Sequence, residues 1–204
     1  MLELLDHAAV FVFALTGALA ASRAQLDIVG FAFVASLTAV GGGTVRDLLL
    51  DRHPVFRIAD PGLVGVAALA AAILVISAQL RESRLKVLTW LDAFALAVAV
   101  PAGTGVALSL GHPPAIVLLM GVATGCLGGL MRDVVCNEVP LVLRQGELYL
   151  TAAFAGAAAA LLAVRFLPQD AALAICAAVT LALRSGSLLF GWRLPVYRGR
   201  PPRS

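Results

Sequence analysis

Seven stretches of about 20 mainly apolar residues follow one another along this chain, and the short connections between them hold most of its charged residues. A helix of about 20 such residues is what crosses the roughly 30 Å hydrocarbon core of a bilayer. Because backbone polar groups in lipid must pair within their own segment, stretches of this length predict α-helices. The predicted spans are residues 6–22, 28–50, 61–80, 88–108, 113–136, 147–167 and 171–191. The chain is therefore predicted to be an all-α integral membrane protein, with residues 1–191 forming a single membrane domain.

The composition limits the function classes that this chain can serve. Hydrophobic residues make up 61% of it and charged residues 13%, against roughly 45–50% and about 25% in soluble domains. The basic residues are grouped in connections and in the C-terminal tail, so no nucleic-acid partner is expected. No nucleophile has an identifiable base nearby, and neither the histidines nor the cysteines have metal-ligand spacing. We therefore expect a partner of the lipid bilayer with no catalytic activity, no cofactor and no bound metal.

Lysine and arginine residues outside the spans are distributed unevenly between the two sides of the membrane. If the N-terminus is outside, nine of them fall on the inner side and three on the outer side. Short cytoplasmic connections carry an excess of positive residues. The distribution predicts an outer N-terminus and a cytoplasmic C-terminus, with residues 192–204 forming a basic cytoplasmic tail.

The chain also matches itself at an offset of 86 residues without a gap. The matched pairs are Asp6 and Asp92, Gly17 and Gly103, Thr38 and Thr124, Gly42-Gly43 and Gly128-Gly129, Arg46-Asp47 and Arg132-Asp133, and Pro54 and Pro140. Repeat one covers about residues 5–80 and repeat two about residues 91–166. Three spans in each repeat force the second copy to insert upside down, so the architecture predicted is two inverted three-helix repeats followed by a seventh helix at about 171–191.

Glycines interrupt the second and fifth predicted spans at Gly41-Gly42-Gly43 and at Gly128-Gly129. Each glycine costs about 1 kcal/mol relative to alanine in a helix interior. We expect both helices to be broken there, with the freed carbonyls lining a polar pathway, since unpaired backbone groups do not face lipid. Close helix packing, which small residues also permit, is the alternative.

Four charged residues follow these glycines: Arg46 and Asp47 in the first repeat, Arg132 and Asp133 in the second. Each costs roughly 2.5–3.5 kcal/mol at the centre of a membrane helix, so all four are expected to face the protein interior or an aqueous route. Adjacent residues point about 100° apart on a helix, which disfavours pairing of neighbours. Cross-pairing of Arg46 with Asp133, and of Arg132 with Asp47, would lock the two halves together as an alternative to a role in permeation or gating.

Hydroxyl-bearing residues within the spans are weaker candidates for the same pathway. Thr38 and Thr124 occupy matched positions four or five residues before the glycine pairs, so we predict that they face the pore, although such hydroxyls commonly bond back to their own helix. Arg184 interrupts the seventh span and has no partner in the repeat. Snorkelling, a packed ion pair and a lipid headgroup contact are all open for it.

The two segments from Gly41 to Asp47 and from Gly128 to Asp133, one in each three-span half and followed by a seventh span, resemble those of the trimeric intracellular cation (TRIC) channel family in its prokaryotic form. The resemblance extends over about residues 5–191. It implies a homotrimer in a bacterial inner membrane, with a separate pore in each subunit for monovalent cations such as K⁺ and Na⁺. It also implies that the second and fifth spans are kinked at these glycines and help to line the pore. Animal members bind a phosphoinositide through lysine-containing motifs, and arginines stand here instead, so lipid regulation is not inferred.

Some prokaryotic members of the same domain family are labelled glycine transporters, which supplies a second hypothesis. A secondary transporter of a small solute such as glycine uses the same inverted repeats and interrupted helices. The sequence contains no feature that separates a channel from a transporter. A non-transporting scaffold is a third interpretation, but it leaves the buried charges without a purpose.

Overall fold

The computed structural model describes residues 1–55, 65 and 84–195, and these residues form six α-helices and one short 3₁₀ helix. The helices are α1 (Leu2–Arg23), α2 (Ile28–Leu49), α3 (Arg84–Ser109), α4 (Pro114–Val135), α5 (Leu150–Ala163) and α6 (Gln169–Phe190), and the 3₁₀ helix is Leu141–Leu143. The predicted span at 61–80 and the tail beyond residue 195 lie outside the described residues. The protein is all-helical over the described ranges, as the sequence predicts.

Capping residues in the sequence explain where several of the helices begin and end. Asp27 precedes α2, and its side chain accepts a hydrogen bond from the Gly30 N–H at 2.8 Å, which satisfies a free donor of the first turn. Pro114 opens α4, at a position where the missing N–H costs nothing. Gly191 ends α6 with φ at 68°, a left-handed conformation that glycine adopts without steric cost.

Five of the described helices are long and apolar enough to cross a membrane, and α5 is the exception. The span predicted at 147–167 forms a helix of only 14 residues, which is about 21 Å long. Four of its alanines, Ala152, Ala153, Ala157 and Ala160, are fully buried among other helices, while Phe154 and Leu162 are more than half exposed. One face of the apolar run therefore packs inside the protein, and residues 164–166 after the helix lie in turns.

The helices pack as two pairs joined to each other. α1 packs on α2 and α3 packs on α4, while α1 contacts α3 and α2 contacts α4 across the two pairs. α6 packs on α3 and α5, and α5 also contacts α4. The principal buried cluster, which includes Leu96, Val100 and Tyr149, lies on the side of α3 and α4 that faces α5 and α6.

Glycine and threonine residues make close contacts between these helices at several positions that match at the 86-residue offset. A Cβ atom on Gly17 would lie 2.7 Å from Thr38 Oγ1, and one on Gly103 would contact Thr124 Oγ1. Between the pairs, a Cβ on Gly42 would contact the Thr124 carbonyl oxygen, and one on Gly128 would lie 2.7 Å from the Thr38 carbonyl oxygen. Only glycine permits backbones to approach so closely.

The expectation that glycines break the second and fifth spans is wrong. α2 runs without interruption from Ile28 to Leu49, through Gly41-Gly42-Gly43, and α4 runs from Pro114 to Val135, through Gly128-Gly129. The energetic cost of a glycine in a helix is small compared with the packing that its missing side chain allows. Close helix packing, the alternative interpretation, is what the structure shows.

Candidate functional site

A buried cluster of charged side chains joins α1 to α2. Arg46 on α2 lies between two carboxylates: its Nη1 donates to Asp6 Oδ1 at 2.8 Å, and its Nε donates to Asp47 Oδ1 at 2.8 Å. The Arg46 and Asp47 side chains are fully buried, and the Asp6 side chain is 16% exposed. Arg52 approaches from the end of α2, with its Nη1 3.6 Å from Asp47 Oδ1. We name Asp6, Arg46 and Asp47 the first ion cluster.

A second cluster with the same design joins α3 to α4. Arg132 Nη1 donates to Asp92 Oδ1 at 2.9 Å, and Arg132 Nε donates to Asp133 Oδ1 at 2.7 Å. The second carboxylate oxygen of Asp133 accepts a hydrogen bond from the Leu141 N–H at 2.8 Å. Arg132 and Asp92 are fully buried. These three charged residues, Asp92, Arg132 and Asp133, form the second ion cluster, and each stands 86 residues after its counterpart in the first.

The predicted burial of the four charged residues is confirmed, and the cross-pairing considered as an alternative is not found among the ion pairs of the described residues. Neither arginine crosses to the aspartate of the other half. Each instead binds its own neighbour and an aspartate on the preceding helix of the same pair, so the clusters hold α1 to α2 and α3 to α4. Pairing of neighbours succeeds because the long arginine side chain can fold back, so that Nε rather than the terminal nitrogens meets the adjacent carboxylate.

Asp6 and Asp92 are the functional candidates that sequence reasoning missed. Both lie in apolar helices and occupy matched positions in the repeat, which was the available signal. A charged residue at a matched position in two membrane helices is costly unless it has a partner. The only basic residues at matched positions within the spans are Arg46 and Arg132, so this pairing was within reach of the sequence.

A small cavity of about 20 Å³ lies where the two helix pairs meet. It is large enough for about one water molecule. All four helices contribute to its wall, which consists of Asp6, Ala9, Val10, Phe13, Ala39, Gly42, Gly43, Ala99 and Thr124. The cavity thus touches the first ion cluster through Asp6 and the α2–α4 contact through Gly42 and Thr124.

The structure separates the predicted site residues into three groups. Gly42, Gly43 and Thr124 line the cavity. Thr38 does not, because its side chain lies against Gly17 of α1. Its hydroxyl donates to the Val34 carbonyl oxygen of its own helix at 2.6 Å, the commoner arrangement for threonine in a helix.

Among the remaining glycines, Gly128 receives the Thr38 carbonyl oxygen, and the other two receive side chains from neighbouring segments. Gly41 lies beneath Met131, whose Sδ would be 2.6 Å from a Cβ on that glycine. Gly129 faces Asp92 and Tyr149, since a Cβ there would be 3.3 Å from Asp92 Oδ1 and 3.4 Å from the Tyr149 hydroxyl. These two glycines therefore make room for neighbours of the second half rather than opening their own helix.

Arg184 adopts one of the three arrangements left open for it, the packed ion pair. Its side chain is fully buried, and Nη1 lies 2.8 Å from Glu147 Oε2. Its guanidinium carbon lies 4.9 Å from the centre of the Tyr149 ring. Snorkelling is wrong for this residue, since a snorkelling arginine exposes its charged end.

Asp133→Asn is expected to lower the free energy of unfolding by about 1–3 kcal/mol, because the amide nitrogen must face either the Arg132 Nε–H or the Leu141 N–H and leaves that buried donor unpaired. Unfolding by SDS in mixed micelles, followed by circular dichroism, measures the loss. Asp170→Asn, at an exposed position in the first turn of α6, is the matched control. A change in single-channel conductance at the same time would place Asp133 beside the pathway, whereas lowered stability with unchanged currents would restrict it to a structural role.

Comparison with known proteins places this arrangement among membrane proteins. A family model described as Glycine transporter matches residues 3–79 and again residues 89–165. A UPF0126 membrane protein of Vibrio cholerae is 41% identical over 158 residues, which cover 76% of this chain and 65% of that protein. The UPF0126 inner membrane protein YadS of Escherichia coli strain K12 is 36% identical over 196 residues, which cover 95% of this chain and 94% of YadS.

Solved structures match this chain at both the sequence and the backbone level. One of them is the crystal structure of a TRIC trimeric intracellular cation channel orthologue from Rhodobacter sphaeroides, which is 40% identical to this chain. The two superpose with a TM-score of 0.89 over 93% of this chain and 98% of that one.

Proposed function

The chain belongs to the TRIC family, and from this premise we propose that it is a channel for monovalent cations such as K⁺ and Na⁺, with one pore in each subunit of a homotrimer. The observation that carries this function is the cavity between the two helix pairs, which is lined by all four of their helices and touches the partly buried carboxylate of Asp6. The glycine contacts between α2 and α4 form one wall of it. We name this junction between the two helix pairs the seam, and the pore would follow it.

The charge in the cavity wall favours cations, because the one ionisable residue among the described residues that line it is Asp6. Each ion cluster contains two carboxylates and one arginine. Acidic side chains near a pore attract cations and repel anions. The solved relative is a cation channel, which supports the same sign of selectivity.

The architecture proposed for the whole chain is two inverted three-helix repeats and a seventh helix. The two matches of the family model begin 86 residues apart, at residues 3 and 89, which is the offset of the sequence repeat. The two ion clusters and the glycine–threonine contacts follow the same offset. Residues 61–80 would supply the third helix of the first repeat, and the odd number of spans would invert the second.

The proposed membrane and orientation follow from the relatives and the charge distribution. YadS is described as an inner membrane protein, which supports an inner-membrane location for this chain. The excess of basic residues on one side supports an outer N-terminus and a cytoplasmic C-terminus.

A secondary transporter of a small solute such as glycine is the second candidate, and the description of the family model favours it. The observed cavity holds about one water molecule, so a transporter would have to enlarge it considerably to enclose an amino acid. A channel needs a narrower opening for an ion. The cavity size therefore favours the channel.

Purified protein in planar bilayers under a K⁺ gradient distinguishes these functions. A channel is expected to give discrete unitary currents that reverse near the K⁺ equilibrium potential. Saturable glycine uptake into proteoliposomes, with no unitary currents, would replace the channel by the transporter. Cross-linking in detergent addresses the trimer, and an exclusively monomeric pattern would contradict it.

A further inference from the structure

Arg184 is a buried cation that has no counterpart in the 86-residue repeat. It lies on α6, six residues before the end of that helix, or about 9 Å from it along the axis. At this depth an arginine normally extends its charged end to the membrane surface. Here the side chain is fully buried instead, so the protein supplies something that compensates its charge.

The compensation comes from one loop, residues 136–149 between α4 and α5, which we name the α4–α5 loop. Glu147 places a carboxylate oxygen 2.8 Å from Arg184 Nη1, and the Tyr149 ring lies beneath the guanidinium at 4.9 Å. Over the described part of the chain, none of the three Arg184 side-chain nitrogens makes a well-formed hydrogen bond. The arginine is therefore held by charge and by the aromatic face rather than by a fixed hydrogen-bond geometry.

Tyr149 connects Arg184 to the second ion cluster. The residue is 1% exposed, and it belongs to the principal buried cluster together with Cys126. Its hydroxyl and Asp92 Oδ1 both lie within 3.4 Å of the position that a Cβ on Gly129 would take. One ring thus has Arg184 on its face and an aspartate of the second ion cluster near its hydroxyl.

The end of α6 binds the same loop a second time, through the main chain. Ser187 Oγ accepts a hydrogen bond from the Leu148 N–H at 3.2 Å and donates to the Trp192 carbonyl oxygen at 3.0 Å. The Leu194 N–H donates to the Gly146 carbonyl oxygen at 2.9 Å. The α4–α5 loop is therefore attached to α6 by side chains and backbone together, and a displacement of α6 would carry the loop with it.

We propose that Arg184 is a positioning residue that holds Tyr149 against the second ion cluster, and that α6 thereby controls how often the cation pathway opens where it extends from the cavity to that cluster. This deepens the channel function proposed above and rests on it. Asp92 of the cluster lies two turns along α3, about 10 Å, from Ala99 in the cavity wall. α6 also packs on α3, the helix that carries Asp92, so it contacts both the loop and one of the two helices that the second ion cluster joins. The contact is suited to opening and closing, because a charge held without fixed hydrogen bonds can leave and return without breaking a specific geometry.

The first measurement is single-channel recording of Arg184→Gln in planar bilayers. Loss of the contact is expected to raise the open probability about tenfold, a factor that a desolvated cation–aromatic contact supports, while the unitary conductance stays that of the wild type. Tyr149→Leu should act in the same direction, and Arg184→Lys should restore part of the effect because it keeps the charge. Arg193→Gln is the matched control: it removes a cation beside Glu147, whose bridge to residue 193 is made by the backbone.

A second measurement does not depend on conduction. In a background with Cys136 and Cys176 replaced by serine, the rate at which an aqueous thiol reagent labels Cys126 reports whether Tyr149 has left the buried cluster that the two share. Faster labelling in Arg184→Gln than in the wild type and in Arg193→Gln supports the positioning role. Equal rates in all three overturn it, as does an unchanged open probability in a conducting Arg184→Gln protein. Absence of currents from the wild type, by contrast, contradicts the channel function, and the labelling rates still decide the role of Arg184.

Discussion

Arg132→Met is expected to lower the free energy of unfolding by about 3–5 kcal/mol, because it leaves two buried carboxylates without the cation between them. Asp92 and Asp133 each direct one oxygen at the guanidinium, and neither side chain is more than 5% exposed. Neither can turn to water without moving a helix. The loss is measured by SDS unfolding in mixed micelles, with the helical circular dichroism signal as readout.

Two variants serve as controls for this prediction. The triple variant Asp92→Asn, Arg132→Met, Asp133→Asn is expected to recover most of the stability, because replacing a whole buried ion group with neutral residues is often close to neutral. Arg46→Met should cost less than Arg132→Met, since Asp6 is partly exposed and Arg52 lies 3.6 Å from Asp47. A loss of less than about 1 kcal/mol for Arg132→Met, the value of an exposed ion pair, would show that the second cluster is hydrated and not buried.

The membrane helices were predictable because the physics that defines them is local. The bilayer requires about 20 apolar residues in a row, and the ends of α1, α2, α4 and α6 lie within five residues of the predicted ones. α5 was mispredicted in length, since alanine-rich sequence is equally suited to lipid and to a protein interior. Its burial depends on α4 and α6, which are distant in sequence.

The candidate site was only half predictable for a related reason. The high cost of charge in lipid showed that Arg46, Asp47, Arg132 and Asp133 must be buried, and they are. Which acid meets which base depends on how helices pack, and the charges of one repeat taken alone do not show it. The offset of 86 carried the missing information, because it paired Asp6 with Asp92 just as it paired the arginines.

The glycine segments show how the same residue type permits two opposite structures. A glycine lowers the cost of interrupting a helix, but it also removes the Cβ that keeps two helices apart. Sequence alone does not say whether another helix is close enough to use that space. Here the carbonyls of Thr38 and Thr124 occupy it, so packing prevails and both helices continue.

Phe13→Ala is expected to make the protein less stable and, at the same time, more conductive. Phe13 is 3% exposed, lines the cavity between the helix pairs, and lies against Gly128 on α4. Removing the ring should cost about 3 kcal/mol, the lower end of the range for Phe→Ala, because in a membrane the transfer term is small and the lost packing remains. The cavity should grow by most of the volume of the ring. If ions pass along this seam, the unitary K⁺ current should rise several-fold.

Ala99→Phe is the matched change from the other half of the molecule. Ala99 stands 86 residues after Phe13 and lines the same cavity. A ring at this position is larger than the remaining space, so it should block the cavity and suppress the K⁺ current, with some loss of stability from overpacking. Single-channel recording of both variants in symmetric KCl, with SDS unfolding alongside, separates the two effects. A channel that follows the seam must respond in opposite directions to the two substitutions, because one enlarges and the other fills the same space. Lowered stability of Phe13→Ala with an unchanged unitary current would move the ion path away from this cavity, and would leave the α2–α4 contact as a purely structural junction.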